Sequence, residues 1–117
     1  MATKRIFVAL TLLAALALTS CGGGSVDPGA GSAVTIKVEI QGGAPVGGIQ
    51  KVSVSRGDSV TVAVTGDSED RVHIHTYDLY VELSGGAGSK TFDALIPGVF
   101  EIELESSSRK LVELTVS

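Results

Sequence analysis

The sequence predicts an all-β protein: a Greek-key β-sandwich of seven or eight strands, preceded by a signal-peptide helix that is cleaved. Three observations predict it. Apolar and polar residues alternate with a period of two through most of residues 33–117. Clusters of Gly, Asp, Ser and Pro break the alternation at short intervals. Aromatic content is 4% with no Trp, while Val, Ile and Leu are plentiful, so the core must be built from branched aliphatics suited to a pleated sheet.

From the N-terminus, Met1 to Arg5 is basic, Ile6 to Leu18 is an apolar run, and Leu18-Thr19-Ser20-Cys21 closes it with small residues before the single Cys. That order is the pattern of a secretory signal peptide. A permanent span needs about 20 apolar residues to cross roughly 30 Å of hydrocarbon, so the run is short for one and residues 1–20 are expected to be removed. Leu18-Thr19-Ser20-Cys21 resembles a bacterial lipobox, at which lipoprotein signal peptidase cuts before a diacylglyceryl-modified cysteine. The resemblance implies that Cys21 is the lipidated first residue of the mature protein, which is held on the extracytoplasmic side of a membrane, periplasmic or cell-surface. Two acyl chains anchor a protein stably where one does not. The alternative is an ordinary secretory signal with a chance Cys at its end. Because Cys21 stands alone, no intrachain disulfide can form and packing must hold the fold.

Residues 21–32 are rich in Gly and Ser, the composition of a flexible tether. The domain is expected over 33–117. Its first strand is read from Val34, Ile36, Val38 and Ile40, with Thr35, Lys37 and Glu39 on the other face. Further strands follow at Val52 and Val54, at Val60, Val62 and Val64, and at Val72 and Ile74. The last two are Phe100, Ile102 and Leu104 against Glu101, Glu103 and Glu105, then Val112, Leu114 and Val116. Turns are read at Gly42 to Pro45, Arg56 to Asp58, Gly66 to Ser68, Ser84 to Gly88, Pro97-Gly98 and Ser106 to Ser108. Evenly spaced short strands of this kind point to an antiparallel sandwich or barrel.

Charge excludes one class of partner. Without Lys4 and Arg5 of the leader, seven basic residues face 13 acidic ones, a net charge near −6. The remaining Lys and Arg are scattered, so no basic stripe exists to neutralise phosphates and nucleic acid is not expected as a partner. No nucleophile and base pairing, and no glycine loop leading into a helix, marks an enzyme.

Three segments resemble the cupredoxin-like domains over nearly all of Val34 to Ser117. Arg56-Gly57-Asp58-Ser59-Val60-Thr61-Val62 is similar to a Gly-Asp turn leading into an early strand of that family. Asp70-Arg71-Val72-His73-Ile74-His75 sits where those proteins place their first copper-binding histidine. Ile96-Pro97-Gly98-Val99-Phe100-Glu101 looks like the Pro-Gly-aromatic step into the strand before the copper loop. The blue-copper loop would then carry Cys, His and Met, whose soft sulfur and imidazole donors define that geometry. Here the stretch reads Glu105-Ser106-Ser107-Ser108-Arg109-Lys110, the only Met is Met1, and no His follows His75. A type 1 copper site cannot be assembled within this chain.

His73 and His75 are the sharpest chemical feature, since residues two apart on a strand share a face and two imidazoles can reach one ion. Val72 and Ile74 take the opposite face. Glu69, Asp70, Tyr77 and Asp78 are close in sequence and can add oxygen ligands. The plainer reading is that both histidines are hydrogen-bonded structural residues, with Asp78 or a neighbouring backbone as partner. Arg56-Gly57-Asp58 reads as a hairpin turn in preference to an integrin-recognition tripeptide, and Glu101, Glu103 and Glu105 read as a solvated strand face. The expected function is a non-enzymatic binding or interaction module, its partners being membrane lipid through Cys21 and a protein or metal ligand. The alternative is a copper-handling or redox accessory protein, with His73 and His75 in a copper site completed by a partner or a second copy.

Overall fold

The computed structural model describes residues 31–117; the signal-peptide helix, Cys21 and most of the 21–32 tether lie outside the described residues. Nine strands follow in order: β1 (Ala33–Gln41), β2 (Ala44–Pro45), β3 (Gln50–Val54), β4 (Ser59–Gly66), β5 (Arg71–Ile74), β6 (Leu79–Glu82), β7 (Ala87–Asp93), β8 (Gly98–Leu104) and β9 (Arg109–Val116). They form two sheets, ordered β2-β1-β4-β7 and β3-β9-β8-β5-β6. Period-two alternation becomes burial directly. Ile36, Val38 and Ile40 of β1, Val60, Val62 and Val64 of β4, and Val72 and Ile74 of β5 are buried between the sheets, where loss of water-exposed apolar area supplies most of the stabilisation.

The count exceeds the expected seven or eight because β2 is a two-residue pairing of Gln41 with Ala44 and Ile40 with Pro45. A second difference is direction. β1 runs parallel to β4 and β3 parallel to β9, so the sheets are mixed and not purely antiparallel. The chain leaves β1 and β2 for β3 in the other sheet and returns with β4 beside β1, and side-chain periodicity carries no information about that direction. Ser84 to Gly88 is a tight turn whose last residues already belong to β7, with Ser84 bridged to Ala87.

At one end of the sandwich the Arg56-Gly57-Asp58 turn is drawn inward. Asp58 is buried, and its carboxylate accepts the Ser55 and Ser32 amides, each at 2.8 Å. Satisfied by two backbone donors, this buried charge fastens the start of β1 to the β3–β4 turn. Its own carbonyl accepts the Ala94 amide at 2.8 Å, which joins the β7–β8 connection to the same point. The Pro97-Gly98 step is a packing unit: Gly98 has φ +144°, and a Cβ there would stand 2.9 Å from Cζ of Phe100. Only glycine lets the Phe100 ring lie back over the strand entry. Tyr77 completes this end, its ring 4.7 Å from Phe92 and 5.5 Å edge-on from Phe100.

Candidate metal centre

With Val72 and Ile74 fully buried on β5, His73 must point out of the five-stranded sheet. His75 follows one residue beyond the strand on the same side, its amide still donating to the Glu101 carbonyl at 3.1 Å. In the ladder His73 stands opposite Glu103 of β8 on one side and Tyr80 of β6 on the other. The histidine rings lie 4.3 Å apart, and the His73 ring stacks on Tyr80 at 4.5 Å and 7°. Tyr80 thereby fixes one imidazole plane, with the Arg71 guanidinium 4.5 Å over the same ring.

The structure brings a third potential donor to the two histidines. One donor atom each from His73, His75 and Glu103 lie within 4.8 Å of one another. Ligands about 2.0–2.1 Å from a common ion stand at most about 4.2 Å apart, so the three side chains are near ligating spacing and must draw together to share an ion. His75 Nε2 lies 2.7 Å from Oε1 of Glu103, yet it is buried without a hydrogen bond. Distance alone makes an ion pair here, while the directional criterion fails; direction decides, because an imidazole nitrogen bonds along its ring plane. Nitrogen and oxygen are close but not aligned for a hydrogen bond, and at 2.7 Å they stand nearer than two ligands of one tetrahedral ion, about 3.3 Å apart, so an ion between them would have to part the two side chains.

His73 has two further carboxylates in reach, Asp78 Oδ1 at 3.1 Å from Nε2 and Glu105 Oε2 at 3.8 Å from Nδ1. Only the Asp78 contact is short enough for a hydrogen bond, and a bond of this kind orients an imidazole. Asp78 reaches it because the turn after β5 is left-handed at two non-glycine residues, Thr76 at φ +72° and Asp78 at φ +53°. A β-branched residue in that region is strained, and the turn that carries the strain sets Tyr77 toward the core and Asp78 toward His73.

The neighbouring charges are otherwise committed. Lys110 pairs with Glu101, and its ammonium holds the Glu101 carboxyl below the ordinary value while being itself held protonated. Arg71 lies 3.5 Å from Glu105. The remaining sequence candidates are placed elsewhere. The Tyr77 hydroxyl donates to the Ile96 carbonyl and accepts its amide, both at 3.1 Å. Asp70 accepts the Ser106 hydroxyl at 2.5 Å, and Glu69 joins Asp70 along a shallow hollow at the other end. Glu103, read from sequence as part of a solvated face, is the candidate donor that sequence reasoning missed. A larger hollow of about 810 Å³ lies across the outer face of β1, β4 and β7, lined by Lys37, Glu39, Val46, Ala63 and Thr65 among others. It contains none of the His73, His75 and Glu103 cluster.

No family model matches the chain, and no curated protein matches it. Among solved structures it is similar to a chain in the cryo-EM structure of a heme-copper terminal oxidase dimer, at 16% identity and a TM-score of 0.55. The match covers 71% of this chain and 64% of that one, so this chain spans less than two thirds of its neighbour. The fold is the expected β-sandwich, two packed sheets, and that chain shares it. Likeness at that identity speaks for fold alone. No helix among the described residues is long and apolar enough to cross a membrane.

Proposed function

We propose that this protein is a lipid-anchored, extracytoplasmic, non-catalytic module that binds a divalent transition-metal ion, Cu(II) foremost, through His73, His75 and Glu103. The observation that carries the reading is the convergence of the three donors with His75 Nε2 buried and lacking an aligned partner. Two imidazoles and a carboxylate are borderline-to-hard ligands, and for a given nitrogen and oxygen site affinity among divalent first-row ions peaks at Cu(II). Copper also accords with the cupredoxin-like architecture and with the heme-copper oxidase origin of the structural neighbour, although the centre differs in kind from blue copper because no thiolate is available. Tyr80 and Asp78 orient His73, and Glu103 supplies negative charge that offsets part of the cation's. Anchoring through Cys21 gives such a module a fixed membrane address.

The reading is tested by titrating Cu(II) into the protein and its Glu103→Gln variant. Second-sphere substitutions at metal sites cost about 10–100-fold in affinity, so loss of a direct ligand is expected to weaken binding at least about tenfold, with the β-sheet circular dichroism unchanged. Equal affinity in the two proteins would remove Glu103 from the site.

A further inference from the structure

We propose that the connection between β7 and β8 is a membrane-facing tip, with Leu95 and Ile96 entering the interfacial layer of a phospholipid bilayer. The inference rests on the lipid-anchor reading of Cys21. Among the described residues, three of the five exposed large hydrophobic side chains fall within Leu95 to Val99: Leu95 is 57% exposed, Ile96 42% and Val99 62%. Their backbone is tied down. The Ala94 amide donates to the Asp58 carbonyl, the Ala94 carbonyl accepts the Gly57 amide, and the Tyr77 hydroxyl bonds both the amide and the carbonyl of Ile96. A connection fastened on both sides of Leu95 cannot collapse these side chains into the core, so it holds them out at a standing cost in apolar exposure.

The chain enters the domain at the same place. Ser32 donates to the Asp58 carboxylate and accepts from the Ser59 amide, and a Cβ on Gly31 would lie 2.0 Å from the Gly57 carbonyl oxygen. The incoming backbone therefore runs in contact with the turn that also fastens Ala94. Ten residues lie between Cys21 and Ser32, eleven steps along the backbone, a reach of about 36–40 Å fully extended and about 17–20 Å as a random coil. An anchored Cys21 keeps this end of the sandwich, and with it Leu95 and Ile96, within that distance of the lipid surface. Charge does not draw it there, because exposed Arg56 is offset by exposed Asp78 and Asp93. Burial of aliphatic side chains is the force that remains, as for interfacial amphipathic segments, and the occupant that fits is lipid.

The test uses residues 21–117, which contain every strand. Cys21 is coupled through its thiol, the only one in the chain, to a maleimide-bearing phospholipid in vesicles of phosphatidylethanolamine and phosphatidylglycerol. This chemical anchor makes the outcome independent of whether cells lipidate Cys21, which radiolabelled fatty acid decides separately. The protein has no Trp, so Leu95→Trp and, as a second reporter, Ile96→Trp each supply a lone indole. Emission is expected to shift to the blue on the vesicles, to be quenched at least about twofold by brominated lipid, and to be insensitive to salt because no charge attraction is involved. Ile49→Trp, at an exposed site 52% accessible before β3, should show neither effect. Unshifted emission with full access to aqueous iodide in both reporters would overturn the proposal, as would protection that appears only when a protein partner is added.

Discussion

Each carboxylate along the outer face of β8 and just beyond it has a different partner. Glu101 is taken by Lys110, Glu103 by His75, and Glu105 by Arg71 and, more distantly, His73. Lys110 stands across the ladder from Glu103 but pairs with Glu101, so Glu103 is the carboxylate whose nearest partner is an imidazole. Asp70 shows how firmly such local pairing acts. Burial pushes its carboxyl upward, but hydrogen bonds from the Ser106 hydroxyl and from the Arg71 and Ser106 amides outweigh that and hold it below 3.8. A folded-state value below the unfolded one contributes stability that is present above the unfolded value and lost as pH falls through the folded one. Ser106→Ala is therefore expected to raise the Asp70 value, read by NMR titration, and the variant should lose less stability than the parent across that acid window. The two histidines could be read from the sequence because alternation alone puts them on one face opposite Val72 and Ile74. Glu103 could not, since its place beside them depends on the β5–β8 register, 30 residues away in the chain.

At the scale of elements, β1, β4 and β8 were legible because each buries an alternating set, and β9 because it does so from Val112 to Val116. β7 was not: along its seven residues only Phe92 is buried, and Lys90, paired with core-facing Val62, is exposed at the sheet edge. A charge on the inner side of an edge strand breaks the apolar pattern and also discourages edge-to-edge association. β6 is entered from a left-handed turn, and with Leu79 and Tyr80 both half-buried beside buried Val81 it shows no period of two. β9 hides a bulge. Ile102 pairs with Val112 and Glu103 with Lys110, leaving Leu111 unpaired, so that Leu111 and Val112 both face the core at 0% exposure. The bulge sits beside Glu103 and sets where that side chain falls. Leu111→Ala is expected to cost about 2–5 kcal/mol by cavity formation, measured as a lower denaturation midpoint in urea. It should also loosen metal binding, because the register at Glu103 shifts with the bulge. A variant of unchanged stability would show that Leu111 is not part of the packed core.

For the whole molecule, periodicity sorted residues into core and surface correctly but left open which strands are neighbours and in which direction. The parallel β1–β4 and β3–β9 pairs belong to that undetermined part, as does the placement of the incoming chain beside the β7–β8 connection. What results is a sandwich with a His-His-Glu cluster on the outer face of one sheet and exposed aliphatic side chains at the end where the described chain begins. Cys21→Ser is expected to abolish lipid labelling and leave the protein as precursor or as soluble material, since the chain has no other thiol; labelled lipid persisting on the variant would contradict the anchor. The metal claim is met most directly by electron paramagnetic resonance and absorption during titration of Cu(II) into the protein. The account predicts one ion per chain, a pale tetragonal spectrum with nitrogen coupling from two imidazoles, no intense blue thiolate band, and loss of this signal in the His73→Ala/His75→Ala double variant. Equal copper uptake by the double variant would contradict it and leave His73 and His75 as structural residues.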